Sequence, residues 1–168
     1  MSDVHSEEFS EQLRSLTREY RIMLAAARRS FREQAAALDP SLQPFDGTVA
    51  STLYRRCLET DSETPDAGMT VTEISEVVDA DKSMVSRAIK RLESADLLVR
   101  TTDPKDARSF LLSLNYVARE RLQEYALKRQ KESAAMFEEW TLEEVSMFAT
   151  LMKKLNDSRV RPLGKDAP

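Results

Sequence analysis

Apolar residues recur with a helical period along most of the chain and with a strand period in one short stretch. Phe9, Leu13, Leu16, Tyr20, Met23 and Ala27 step by 4, 3, 4, 3 and 4. That heptad-like seam predicts one long helix over residues 6–38, a stretch free of proline and glycine. At ~1.5 Å per residue such a helix is about 50 Å long. A small domain needs less for its own core, so part of the seam is expected to meet a partner. Asp39-Pro40 closes the helix, because the residue before proline is pushed out of helical geometry. A connector at 41–47 leads to a second helix, about 47–60, carrying Val49, Leu53, Tyr54 and Cys57. TDSETPDAGM, residues 60–69, reads as a polar surface loop. Thr70 and Glu73 have the spacing of a capping box and head a short helix at 71–79, with Ile74, Val77 and Val78 as its expected buried positions.

The pattern is sharpest between residues 81 and 114. Val85, Ala88, Ile89 and Leu92 form one apolar stripe, and Ser83, Ser86, Arg87 and Lys90 fall on the opposite side of the same wheel, with Met84 at its edge. From Lys82 to Leu92 there are four cations (Lys82, Arg87, Lys90, Arg91) and no acid. Two strands follow, 97–102 and 109–114, around a polar tip at 103–108. Phe110, Leu112 and Leu114 are expected to face inward, with Leu111 the exception on the other face. A capped short helix, a cationic helix and a hairpin are the elements of a winged helix-turn-helix, in that order. Asn115 can cap a fifth helix at 116–138, with Val117, Leu122 and Tyr125 among its apolar positions. Thr141 and Glu144 repeat the capping box before a sixth helix bearing Leu142, Val145, Phe148, Met152 and Leu155. The tail 161–168 is expected to be disordered.

The expected fold class is therefore mainly α with a small β wing. A winged helix-turn-helix at 44–114 is flanked by long terminal helices, 1–39 and 116–160, that form a dimerisation region.

Composition changes this picture little. With 168 residues and 41% hydrophobic content the chain can bury a core, and three glycines leave no room for a phosphate-cradling loop. A single cysteine, Cys57, excludes an intrachain disulfide. No apolar run approaches the ~18 residues of a membrane span, and the acidic N-terminus MSDVHSEEFSE is no secretory signal. A soluble, cytoplasmic protein without a membrane partner is expected. The sole histidine, His5, leaves no His-based triad or His-rich metal site. No enzymatic activity, metal or cofactor is expected. The net charge of −4 argues against strong non-specific binding to nucleic acid. The acids, however, gather away from the cationic helix, at Glu7-Glu8, at Asp61, Glu63 and Asp66, and at Glu138, Glu139, Glu143 and Glu144. A Debye length of roughly 8 Å in physiological salt limits how far they mask it.

Residues 70–114 resemble the MarR family of bacterial transcription regulators. Thr70-Val71-Thr72-Glu73-Ile74-Ser75 is similar to that family's helix before the turn. Ser83-Met84-Val85-Ser86-Arg87 with Arg91-Leu92-Glu93 resembles its recognition helix, and Asp103-Pro104-Lys105-Asp106-Ala107-Arg108 resembles its wing tip with an Asp-x-Arg signature. Three positions depart from the family's pattern: Asp96 and Ala118 stand where glycine is frequent, and Ser75 where alanine is usual. The resemblance implies a homodimer on a pseudo-palindromic site in double-stranded DNA, repression, and relief by a small-molecule effector.

On that reading Lys82, Ser83, Met84, Ser86, Arg87 and Lys90 would meet the major groove. Arg87 suits guanine O6 and N7, Lys90 a phosphate, and Met84 a thymine methyl. Lys105, Asp106 and Arg108 would serve the wing. The Asp106 carboxylate is expected to hold the Arg108 guanidinium for the minor groove. A solvated helix face and a plain surface ion pair are the bland alternatives. A winged helix devoted to protein contact is the competing functional class, and such modules tend to lose the cationic face. Cys57, among Leu53, Tyr54 and Leu58, is expected to be a buried structural thiol rather than a redox switch.

Overall fold

The computed structural model describes residues 2–60, 68–104 and 106–160. Met1, residues 61–67 of the expected loop 60–69, Lys105 and the expected disordered tail 161–168 lie outside the described residues. Among those described there are six helices and one two-stranded antiparallel sheet: α1 (Ser2–Leu38), α2 (Pro44–Glu59), α3 (Val71–Val77), α4 (Lys82–Ser94), β1 (Leu98–Asp103), β2 (Asp106–Leu114), α5 (Tyr116–Met136) and α6 (Leu142–Val160). The chain divides into two units, the break falling after Tyr125 inside α5.

In the first unit the core is aliphatic. Ala35 and Leu38 from the end of α1 join Val49, Ala50 and Leu53 of α2, Ile74 of α3, the whole stripe of α4, and Leu112, Leu114, Ala118 and Leu122. Every apolar residue of the predicted α4 stripe is buried. The close approach of α1 to α2 needs Gly47, since a Cβ there would sit 3.1–3.2 Å from Ala35. Helix α1 stops where the Asp39-Pro40 rule places it. The Asp39 carboxylate accepts from the backbone N–H (2.8 Å) and the hydroxyl (2.5 Å) of Ser41. The Arg121 guanidinium donates to the Leu38 carbonyl, and Tyr125 donates to the Ser30 carbonyl at 2.8 Å.

Helix α2 begins three residues earlier than the pattern suggested, with Pro44 at its first position. There the missing N–H costs nothing and the fixed φ suits a helix. The capping box of α3 is present: Glu73 N–H donates to Thr70 Oγ1 (3.2 Å), and Thr70 N–H donates to the Glu73 carboxylate (2.7 Å). Of the expected buried positions in α3 only Ile74 is fully buried. Val78 is half-buried and Val77 is 56% exposed, while Ser75 is covered in its place. Val77, the last residue of α3, lies off the side that Ile74 and Ser75 bury, and Ser75 turns its hydroxyl to the Thr72 carbonyl at 2.8 Å.

Two aspartates take the left-handed conformation that stops a helix. Asp79 (φ 49°) ends α3 and Asp96 (φ 53°) ends α4. Behind Asp96, the Leu97 N–H reaches the Leu92 carbonyl at 3.0 Å, the six-to-one bond of a Schellman end. Aspartate thus fills the place where glycine is frequent in the family the sequence resembles. Asn115 caps α5 as expected, its Oδ1 accepting from Ala118 N–H at 2.9 Å. The buried apolar positions of α5 are Ala118 and Leu122; Val117 points outward and Tyr125 is half-buried.

The hairpin differs from the simple alternation. Its strands run to Asp103 and from Asp106, so only residues 104–105 separate them rather than six. Leu112 and Leu114 are buried as expected, but Leu111 is buried too, and Phe110 is half exposed. The segment at 68–69 explains Leu111. Met69 pairs with Leu112 through two backbone bonds of 2.9 Å, and Gly68 lies over Leu111, where a Cβ would be only 2.7 Å from the leucine Cβ. A bridge from a distant segment covers the second face of β2.

In the second unit, Thr141 and Glu144 form the expected capping box. The Thr141 N–H donates to the Glu144 carboxylate at 2.8 Å, and the Glu144 N–H donates to Thr141 Oγ1 at 3.2 Å. Phe137, Trp140 and Phe148 stack edge to face with centroids 5.1 and 5.7 Å apart. No helix among the described residues is long and apolar enough to cross a membrane.

Candidate nucleic-acid interface

Helix α4 carries the candidate surface because its other side is spoken for. With Val85, Ala88, Ile89 and Leu92 in the core, the helix can present only one face outward. Lys82, Ser83, Met84, Arg87 and Lys90 are exposed and Ser86 is half-buried. The structure therefore brings all six predicted residues of this helix onto one surface. Among the described residues no acid forms an ion pair with Lys82, Arg87 or Lys90.

Arg91 does not share that surface. Its Nε and Nη2 donate at 2.7 Å to the two carboxylate oxygens of Asp46 in α2, and Asp46 is completely buried. The carboxylate pushes the guanidinium pKa above its ordinary value. The cationic run of four is thus three outward charges and one inward charge. A helical wheel places Arg91 between Arg87 and Met84, and only the packing of α2 decides that its long side chain turns back to Asp46.

At the wing, the Asp106 carboxylate accepts from the backbone N–H of Arg108 at 3.0 Å. The expected grip on the guanidinium is replaced by a brace on the backbone, because at the start of β2 the N–H two residues on is nearer to the carboxylate than the guanidinium. Arg108 is exposed. Lys105 lies outside the described residues. The wing base is held by Leu97, Leu112 and Leu114 in the core. Arg100 of β1 pairs with Glu93 at the end of α4, which raises its pKa, and its guanidinium lies 5.9 Å from the Phe110 ring centroid. This cation–π contact gives the half-exposed Phe110 a role outside the core.

Sequence reasoning missed Asp46, Glu93, Arg100 and Phe110. The one available signal was an acid at the third residue of a proline-started helix, where a carboxylate suits the helix N-terminus. Nothing local links it to a guanidinium 45 residues away. Cys57 is half-buried rather than buried, with the Arg119 guanidinium 3.7 Å from its sulfur.

Residues 63–110 match the model of the MarR family. A curated relative, the uncharacterized HTH-type transcriptional regulator YxaD of Bacillus subtilis, is 31% identical over 86 residues. That match takes in 51% of this chain and spans 60% of the relative's length. Solved structures share the MarR-family fold. MepR of Staphylococcus aureus in its DNA complex superposes with a TM-score of 0.63 at 15% identity, covering 84% of this chain and 96% of that one. A mutant MarR from E. coli complexed with operator DNA gives 0.61 at 22% identity, covering 86% and 95%. The stretch that matches the family model takes in α3, α4 and most of the wing.

Proposed function

We propose that this protein is a sequence-specific DNA-binding transcription regulator that acts in the cytoplasm as a homodimer on a pseudo-palindromic operator. The observation that carries the reading is the asymmetry of α4: one side wholly buried, the other exposed, cationic and without an ion-pair partner among the described residues, with a hairpin directly after it. A helix so held presents its outer residues to a major groove, and a dimer places two of them one helical turn of DNA apart, about 34 Å. Both MepR and MarR have been solved with DNA, which supports the same use of the fold. Repression and relief by a small molecule are the mode the family suggests. Such an effector must bind the DNA-competent and incompetent forms unequally, so effector and operator weaken one another reciprocally.

Selection from a random DNA pool tests the reading. An enriched inverted repeat is expected, and on it Arg87→Ala should cost on the order of 1–3 kcal/mol and relax preference at one position per half-site. Arg108→Ala should weaken binding and flatten its salt dependence without that positional effect. Failure to enrich any sequence would favour the winged helix as a protein-docking module.

A further inference from the structure

Among the described residues Asp46 is the one ionisable side chain of the core with no exposed surface, and its donors are Gln43, just before α2, and Arg91 of α4. Gln43 N–H donates to Oδ2 at 2.8 Å, Arg91 Nε donates to the same oxygen at 2.7 Å, and Arg91 Nη2 donates to Oδ1 at 2.7 Å. The first bond ties the carboxylate to the start of α2. The other two tie it to α4. Arg91 follows Lys90 directly and stands one turn beyond Arg87, and its side chain reaches back from the edge of the outward face to α2.

The aliphatic stripe holds α4 against the core but does so without direction, since burial is rewarded for area rather than angle. A two-point guanidinium–carboxylate fork fixes distance, plane and rotation together. Turning α4 by one residue, about 100°, would carry Arg87 and Lys90 off the outer face. We infer that Asp46 and Arg91 are a positioning pair that sets the rotation of α4, and so the sequence preference of the protein, without either residue touching DNA. This rests on the DNA-binding reading above.

The double variant Asp46→Leu/Arg91→Met separates positioning from stability. Replacing an ion pair whose carboxylate is buried by apolar residues of similar size is often neutral or stabilising, and Asp46→Leu also removes the acceptor of Gln43 N–H, so the variant's melting temperature should fall by no more than a lost helix cap costs. Its net charge is unchanged, so its affinity for random-sequence DNA should also hold. The ratio of operator to random-sequence affinity is the readout, and it should fall by roughly tenfold, the scale of one mismatched base pair. A double variant with the wild-type ratio overturns the inference. If that variant fails to fold, Arg91→Lys carries the test. It keeps the charge and loses the fork, and a wild-type ratio in a cooperatively melting Arg91→Lys protein is equally fatal. A wild type that prefers no sequence would instead remove the DNA-binding reading itself.

Discussion

The winged helix and the helices at the two ends of the chain are written with the same apolar periodicity, yet they close differently. In α4 the stripe of Val85, Ala88, Ile89 and Leu92 is covered completely by its own chain. On α1 the seam begins with Phe9 at 70% exposed and runs through exposed Leu13, Leu16 and Met23, and on α6 Leu142 is 86% exposed. Helix α1 itself shows both behaviours, because Ala35 and Leu38 at its far end belong to the core. Burying a leucine is worth about 1.5–3 kcal/mol, so a row of such residues left uncovered in one chain is a surface with an unmet use. The winged helix is complete in a protomer. The terminal seams are what the proposed dimer would cover.

The largest effect expected from this contrast is on assembly. Leu13→Glu combined with Leu16→Glu should turn the proposed dimer into a folded monomer in sedimentation, with helical content retained. Removing residues 1–38 outright is a poorer probe, since it also takes Ala35 and Leu38 from the core. A wild type that sediments as a monomer at micromolar concentration would break the comparison.

A smaller effect sharpens it from the other side. Leu92→Ala empties a fully buried position and should cost about 2–5 kcal/mol in chemical denaturation. Leu151→Ala, on the exposed face of α6, should cost under about 0.5 kcal/mol in the isolated protomer. Equal losses for the two, measured under conditions where the protein is monomeric, would show that α6 is as well packed as α4.

The smallest effect concerns acid. The backbone N–H and then the hydroxyl of Thr141 hold the Glu144 carboxyl below its ordinary pKa of 4.5. Because the folded value is the lower one, this contribution is fully present above the ordinary value and is lost as pH falls through the folded one. Glu144→Gln should therefore flatten the loss of α6 helicity below about pH 4.5, followed by circular dichroism. An unchanged acid limb would leave the box without energetic weight in this region.

How much of this was readable in the chain follows from the range of the interactions. The capping boxes at Thr70 and Thr141, the Asn115 cap, the stop at Asp39-Pro40 and the stripe of α4 all depend on residues within a turn or two of one another. Spacing alone therefore specified them. The outward set from Lys82 to Lys90 was legible for the same reason, since a helix with one buried face has only one other to offer. Leu111 and Phe110 were misplaced, and the turn of Arg91 toward α2 went unforeseen, because each is decided by something distant. Gly68 and Met69 cover Leu111, Arg100 engages Phe110, and Asp46 draws Arg91 inward. A hydrophobic period reports which side of an element is apolar. It cannot report which other element arrives to cover the margin, and that choice, made by the packing of α2 against α4 and of residues 68–69 against β2, belongs to the tertiary structure.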